Sequence, residues 1–361
     1  MTLNKPVSTI DPASPKCYSL VALPGEGIGV EVVAATLTIL QQVAQRHNFK
    51  LEIAYGAIGR SALDEYGSYF PESTAQLCNR SDGILFGAVN KGGLLELRKR
   101  FDFFANLRPV KTFPCLLDKS SLKRDRLSDV DILFVRELTS GIYFGASGRE
   151  KDTRGSYGYH TMHYHDWEIQ RIARVALQQA QKRRRLLTVA HKENALPHLP
   201  WVSLVAAEAE KYPQVKVEAM LVDNLAMQLV IKPQHFDVIL AGNLFGDILS
   251  DIGGALVGSI GLLGSASLNE AGLGMYEAIH GTAPDIAGKN QANPLGTLAS
   301  AMMMLEQWGE IPAVQTLQTA WNNIFDRGYR TYDLNPQQDE ILISTEQLVE
   351  LFLQEIVALN L

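Results

Sequence analysis

"CYSLVALPGEGIGVEVVAATLTILQQVA", Cys17 to Ala44, decides the fold class. Its first eight residues are a short, mostly apolar run, which predicts a buried strand. A glycine-punctuated turn follows, and then Val33, Leu37, Leu40 and Ala44 recur at helical spacing. The product is a strand, a loop and a helix. Similar units recur at "DGILFGAV" (82–89), "VDILFVREL" (130–138), "RLLTVAHK" (185–192), "KVEAML" (216–221) and "FDVILAGN" (236–243), each followed by a loop or a helical pattern. That alternation predicts an α/β architecture with a largely parallel central sheet, in which ligands gather at the carboxyl ends of the strands.

Composition narrows the function classes. At 361 residues, 46% of them hydrophobic and 20% charged, the chain is long enough for two lobes and has the make-up of a globular enzyme. A net charge of −6 gives no electrostatic reason to bind nucleic acid or an anionic membrane, so neither partner is expected. The one basic run, Lys182 to Arg185, falls where the helical pattern from Asp166 runs out, so its cations suit the negative end of a helix dipole. Cys17, Cys78 and Cys115 are widely separated, which indicates neither disulfides nor zinc and fits a reducing cytoplasm. Residues 1–15 lack the apolar segment of a secretory signal and read as a flexible tail. No apolar run approaches the roughly 20 residues that cross a bilayer.

Charged residues at strand ends carry the functional signal. In "NLFGDILSD" (243–251), a helix beginning just after "GNLFG" stacks Asp247 and Asp251 on one face. Inside a cleft two anions about 4 Å apart cost on the order of 4 kcal/mol, so positive charge is expected between them. Oxygen-only ligands favour Mg²⁺ or Mn²⁺. Asp223, where a strand gives way to a helix, reads equally as a third metal acid or as a helix cap. Arg98, Arg108 and Arg136 offer planar forks for carboxylates, and Leu94, Leu95, Tyr143 and Lys192 lie near them in the pattern. His160, His163 and His165 match no zinc spacing, and their polar, aromatic stretch reads as a β-arm packing on a second subunit.

Taken together, "LPGEGIGVEV", "LRKRFDFFANLRPVK", "VRELTSGIYFG", "MLVDNLAMQLV", "NLFGDILSD" and "IHGTAPDIAGKNQANP" resemble, in order, the motifs of the metal-dependent β-decarboxylating dehydrogenases of isopropylmalate, isocitrate and homoisocitrate. The resemblance covers nearly the whole chain after the tail and is nearest to the isopropylmalate branch. It implies a two-domain fold of that family rather than a Rossmann fold, with a cofactor-binding domain at 16–106 plus 258–361. Residues 107–257 would form the substrate, metal and dimerisation domain, with a β-arm near 147–166. It implies NAD-dependent oxidative decarboxylation of a 3-substituted malate, giving a 2-oxo acid and carbon dioxide, by a cytoplasmic homodimer with shared active sites. Arg98, Arg108 and Arg136 would hold the substrate carboxylates; Asp223, Asp247 and Asp251 would bind the metal, Asp223 also facing the substrate across the dimer. Lys192, likewise crossing over, would be the base and Tyr143 the acid.

For the cofactor, Gly25, Gly27 and Gly29 give G-x-G-x-G, one residue short of the Rossmann fingerprint. The family's dinucleotide segment is matched instead by His280, Gly281, Thr282, Ala283, Pro284, Asp285, Ile286 and Asn293, with Ile28, Glu277 and Asp333 lining the site. Asp285 matches the acid that accepts from the adenosine 2′-hydroxyl, which implies NAD over NADP. Several positions depart from the family pattern: Glu26, Val30, Lys91, His191 and Gly242. Ala195 replaces a usual valine in the pocket for the substrate's side group, which leaves benzyl as a competitor to isopropyl. Leu94 and Leu95 imply an apolar group either way. The departures also leave open a dimeric paralogue that binds without turnover.

Overall fold

The computed structural model describes residues 15–359; the expected tail lies outside them apart from Pro15. The strands of four or more residues are β1 (Cys17–Gly25), β2 (Lys50–Tyr55), β3 (Gly83–Ala88), β4 (Ala105–Lys111), β5 (Asp131–Glu137), β6 (Ser147–Asp152) and β7 (Gly155–His160). They continue with β8 (Leu186–His191), β9 (Lys216–Leu221), β10 (Val238–Ala241), β11 (Gly264–Leu268) and β12 (Gly274–Ala278). Ten of them form one sheet in the order β2-β1-β3-β12-β11-β4-β5-β10-β8-β9. Its two flanks are parallel, β2-β1-β3-β12 and β5-β10-β8-β9. An antiparallel seam through β11 and β4 joins them. The architecture is the largely parallel α/β sheet that the alternation predicts.

Both faces of the second flank are covered, and this explains why its strands read as unbroken apolar runs. Leu133 and Val135 of β5, with Leu240 of β10, pack with Ile169, Ile172 and Ala176 of the helix Asp166–Lys182. Their chain neighbours Ile132, Phe134 and Ile239 point the other way, into the cluster holding Leu249 and Leu256 of the helix Asn243–Val257. Alternate residues thus serve opposite faces. Arg136 continues the series 132, 134, 136, and Arg108 shares a face of β4 with Val110, so both arginines are directed at the helix Asn243–Val257.

Two expectations are refined. The helix Ile28–Arg46 is long and apolar enough to span a bilayer, which corrects the expectation that no apolar run approaches that length. It is a core helix: Val32, Val33, Ile39 and Leu40 are fully buried. The basic run does follow the helix Asp166–Lys182, but its arginines reach carboxylates. Arg183 donates to Asp131 at 2.6 Å and to Asp237, itself fully buried, at 2.9 Å.

Strands β6 and β7 form a separate antiparallel ribbon. Every residue of β6 is exposed, as is β7 beyond Gly155. A two-stranded ribbon is marginal in water without something to pack on.

Candidate active site

The helix carrying Asp247 and Asp251 starts at Asn243, four residues earlier than the sequence predicts, because Gly242 serves as its N-cap directly after β10. The earlier start puts Asn243, Asp247 and Asp251 on one stripe at i, i+4 and i+8, facing β4 and β5. Arginine supplies positive charge between the acids. Arg108 Nη1 lies 3.5 Å from Asp247 Oδ1 and 3.3 Å from Asp251 Oδ1. Arg136 Nη1 donates to Asp247 Oδ1. Both arginines are buried, and burial pulls the Arg136 guanidinium down to about 10, with the neighbouring Arg108 charge acting the same way. Burial raises the Asp251 carboxyl above its usual range, partly offset by Arg108.

Arg98, on the short helix Leu94–Arg100, pairs with Glu277 of β12 at 2.6 Å, both nearly buried. Its Nε is buried with no hydrogen-bond partner. The Arg98 charge also opposes those of Arg108 and Arg136, so the three guanidiniums share one region. Tyr143 closes it: its hydroxyl donates to Asp247 Oδ2 at 3.1 Å, and burial, then the Asp247 charge, raise its pKa above the usual value. Its turn is held by Glu137, whose carboxylate accepts from the Thr139 and Ser140 N–H groups at 3.0 Å each. Leu94 is partly buried against the core, whereas Leu95 is 44% exposed.

Lys192 and Asp223 are not brought to this cluster. They pair with each other, Lys192 Nζ to Asp223 Oδ1 at 2.8 Å, and this hydrogen bond lowers the Asp223 pKa. Asp223 lies in the first turn of the helix Val222–Ile231, whose N-cap is Leu221, so the cap reading is set aside. Ala195, in the same turn as Lys192, is exposed. Among the described residues, no three His, Cys, Asp or Glu side chains of one chain stand together as a metal site. Asp247 and Asp251, with side chains 35% and 55% exposed, keep open oxygens that suit a hard cation.

The segment His280–Asn293, expected to hold the dinucleotide, is a run of loop and turns between β12 and the helix Leu295–Trp308. Gly27 explains the near-miss glycine motif. At φ +58°, it lies so close to this segment that a Cβ would stand 2.1 Å from the Thr282 carbonyl oxygen, which accepts from the Ile28 N–H at 2.9 Å. The glycines therefore join backbone to backbone. Ile28 packs with Ala283 and Ile286. Asn293 donates to Asp333 Oδ2 at 3.0 Å. Asp333 Oδ1 and His280 Nε2 are buried without partners, and burial lowers the His280 pKa. Gly281, Pro284 and Asp285 are exposed. The orphaned polar atoms of His280 and Asp333 fit a ligand with hydroxyls, such as a nucleoside.

The sequence reading missed several polar partners. Ser250 Oγ accepts from Arg108 Nη1 at 2.8 Å, Asn106 Oδ1 accepts from Arg108 Nε at 2.8 Å, and Asn243 Oδ1 accepts from Arg136. Ser250 and Asn243 share the stripe of Asp247, so the helical period would have found them; Asn106 is two residues from Arg108 on one strand face. Of the departures, Glu26 accepts from the Arg60 N–H at 2.7 Å, and Gly242 leaves its space to Tyr164 and Trp201. Lys91 and Val30 are exposed.

Comparison with known proteins supplies independent findings. The profile of the isocitrate/isopropylmalate dehydrogenase family matches residues 19–352. The chain is 43% identical to a 3-isopropylmalate dehydrogenase of Prochlorococcus marinus (strain NATL2A), covering 94% of this chain and 99% of the relative. It is 42% identical to that of Bacillus subtilis (strain 168), covering 91% and 94%. Among solved structures, isocitrate dehydrogenase from Methylococcus capsulatus superposes with a TM-score of 0.85 at 28% identity, covering 94% of this chain and 99% of that one. A β-decarboxylating dehydrogenase from Thermococcus kodakarensis gives 0.77 at 31%, covering 94% and 96%.

Proposed function

The chain belongs to the isocitrate/isopropylmalate dehydrogenase family, and from that premise we propose that it oxidises and decarboxylates 3-isopropylmalate with NAD, giving a 2-oxo acid and carbon dioxide. One observation carries the reading: Arg108 and Arg136 contact the Asp247–Asp251 pair beside the Tyr143 hydroxyl, with Arg98 in the same region. The three guanidiniums are balanced by Asp247, Asp251 and Glu277, so a dication bound together with a substrate carrying two carboxylates would leave the charge of the site balanced. Leu94 and Leu95 flank Arg98 and would receive an apolar side group.

Arg98, Arg108 and Arg136 bind and orient the carboxylates. Lys192 takes the hydroxyl proton. Tyr143, whose raised pKa keeps its proton in place at neutral pH, delivers one to carbon after carbon dioxide leaves. Asp247 and Asp251, with Asp223 from the second copy, would hold Mg²⁺ or Mn²⁺, which when bound polarises the substrate's oxygens as a Lewis acid. His280–Asn293 would hold the dinucleotide with Ile28, Glu277 and Asp333. The exposed Asp285 accepts from a ribose hydroxyl and repels a 2′-phosphate, which favours NAD over NADP.

A cytoplasmic homodimer completes the reading, and three features support the dimer. Lys192 and Asp223 stand apart from the arginines of their own chain. The β6–β7 ribbon is exposed. Met227, Val230, Ile231 and Ile248 are large exposed apolar side chains on the two helices that carry the acids.

The test is a panel of malates bearing isopropyl, benzyl, methyl or a third carboxylate, assayed with NAD and Mg²⁺. NADH and carbon dioxide should form in equal amounts from isopropylmalate, and EDTA should abolish both. NADH formation that survives EDTA would overturn the reading. Because the exposed Ala195 leaves space where a valine is usual, benzylmalate should also turn over; an isopropyl preference above about a hundredfold removes that second substrate.

A further inference from the structure

We infer that Asn243 is a positioning residue that fixes which edge of Arg136 is presented to substrate; the inference rests on the reading of Arg136 as a carboxylate binder. Asn243 is 1% exposed, and all its polar groups are engaged. Its backbone N–H donates to Tyr164 Oη at 2.8 Å, and its Nδ2 donates to the Ser140 carbonyl at 3.0 Å. Its Oδ1 accepts twice from Arg136, from Nε at 3.2 Å and from Nη2 at 2.8 Å. The amide cannot be flipped without setting its NH₂ against a guanidinium, so the Ser140 bond and the Arg136 bonds select one orientation.

The consequence lies in the donor count. A guanidinium has five N–H groups in a planar fork. Asn243 takes the Nε edge, and Asp247 takes one donor of Nη1. The remaining donors are one N–H on each terminal nitrogen, and that of Nη2 points out at the end of the fork, where a carboxylate oxygen can accept it. Asn243 also ties the turn before Tyr143 to the first residue of the helix bearing Asp247. One buried amide thus keeps arginine, tyrosine turn and acid helix in register.

The test compares N243L, N243D and N243S. Leucine matches the shape of asparagine without polar atoms, aspartate keeps the acceptor for Arg136 but puts a second oxygen in place of the donor to Ser140, and serine is too short to reach. In N243L the KM for the hydroxyacid should rise by about tenfold or more, the cost of leaving a buried donor edge unpaired. The KM for NAD should stay within about twofold, because the dinucleotide segment lies elsewhere. N243D should recover part of the hydroxyacid KM, because it keeps the acceptor for Arg136 but loses the donor to Ser140. Should N243L fail to fold, N243S against N243D decides: a higher hydroxyacid KM in N243S than in N243D supports the role, and equal values overturn it. A folded N243L with wild-type KM, or one in which both KM values move together, also overturns it. Wild-type enzyme is the control: absence of NADH from it sinks the carboxylate reading, whereas wild-type turnover with an unmoved KM in N243L sinks this inference alone.

Discussion

Asp247 serves two arginines and a tyrosine at once. It accepts from Arg136 and Tyr143 and lies 3.5 Å from Arg108, while 35% of its side chain remains exposed. A carboxamide would still accept from Arg136, so D247N should keep its fold; its melting temperature should stay within a few degrees of wild type, roughly the effect of 1 kcal/mol in a chain of this size. Turnover should nonetheless fall by about a hundredfold or more, since a neutral oxygen is a poor ligand for a hard cation and no longer helps neutralise the guanidiniums. Titrating NADH formation with Mg²⁺ checks this. Unchanged activity at limiting Mg²⁺ would contradict the assigned role. Residue type was enough to nominate Asp247, Asp251, Arg108 and Arg136. That arginine itself sits between the two acids was not legible, because β4 and the helix Asn243–Val257 are far apart in sequence.

Close packing places that helix on its strands. Gly246 faces Arg136, and a Cβ there would stand 2.7 Å from Cγ of the arginine. Gly254, two turns on, has room: the nearest atom to a Cβ is 3.5 Å away, an ordinary contact. G246A should therefore cost about 1–3 kcal/mol and raise the hydroxyacid KM by displacing Arg136. G254A should be neutral or stabilising by up to about 1 kcal/mol, because alanine loses less freedom in a helix. Thermal melts of the two variants beside their KM values test the contrast; equal effects would show that the helix does not depend on close approach at Gly246. Legibility varies among elements for the same reason of neighbours. Strands β1, β3, β5, β8, β9 and β10 announced themselves as apolar runs. Strand β4 carries Asn106, Arg108 and Pro109, and β11 reads "GSASL", so neither matches a strand template. Their polar atoms are satisfied across the sheet instead: Asn106 Nδ2 donates to Ser267 Oγ at 3.1 Å, and Ser265 Oγ to the Glu277 carbonyl at 2.9 Å. The antiparallel seam was hidden because its stabilising contacts are non-local.

Within one copy of the chain, Lys192 and Asp223 pair with each other, away from the arginines of the proposed site. The proposed two-fold dimer would account for this, since an isologous interface that carries the pair of one copy into the site of the other does the same in return. The prediction is complementation. K192M and D247N homodimers should each be inactive. When the two are denatured together and refolded, half the dimers are hybrids, and in each hybrid one site receives both defects while the other receives neither. Activity should return to about a quarter of the wild-type level. If each chain instead built its whole site from its own residues, every site in the mixture would carry one defect and no activity would return. The Asp223 carboxylate, 65% exposed on its side chain, is free to reach a neighbour without unfolding anything in its own chain. A D223N and D247N mixture should therefore recover to the same extent as the first pair. Recovery by one mixture and not the other would mean that Lys192 and Asp223 do not cross the interface as a unit.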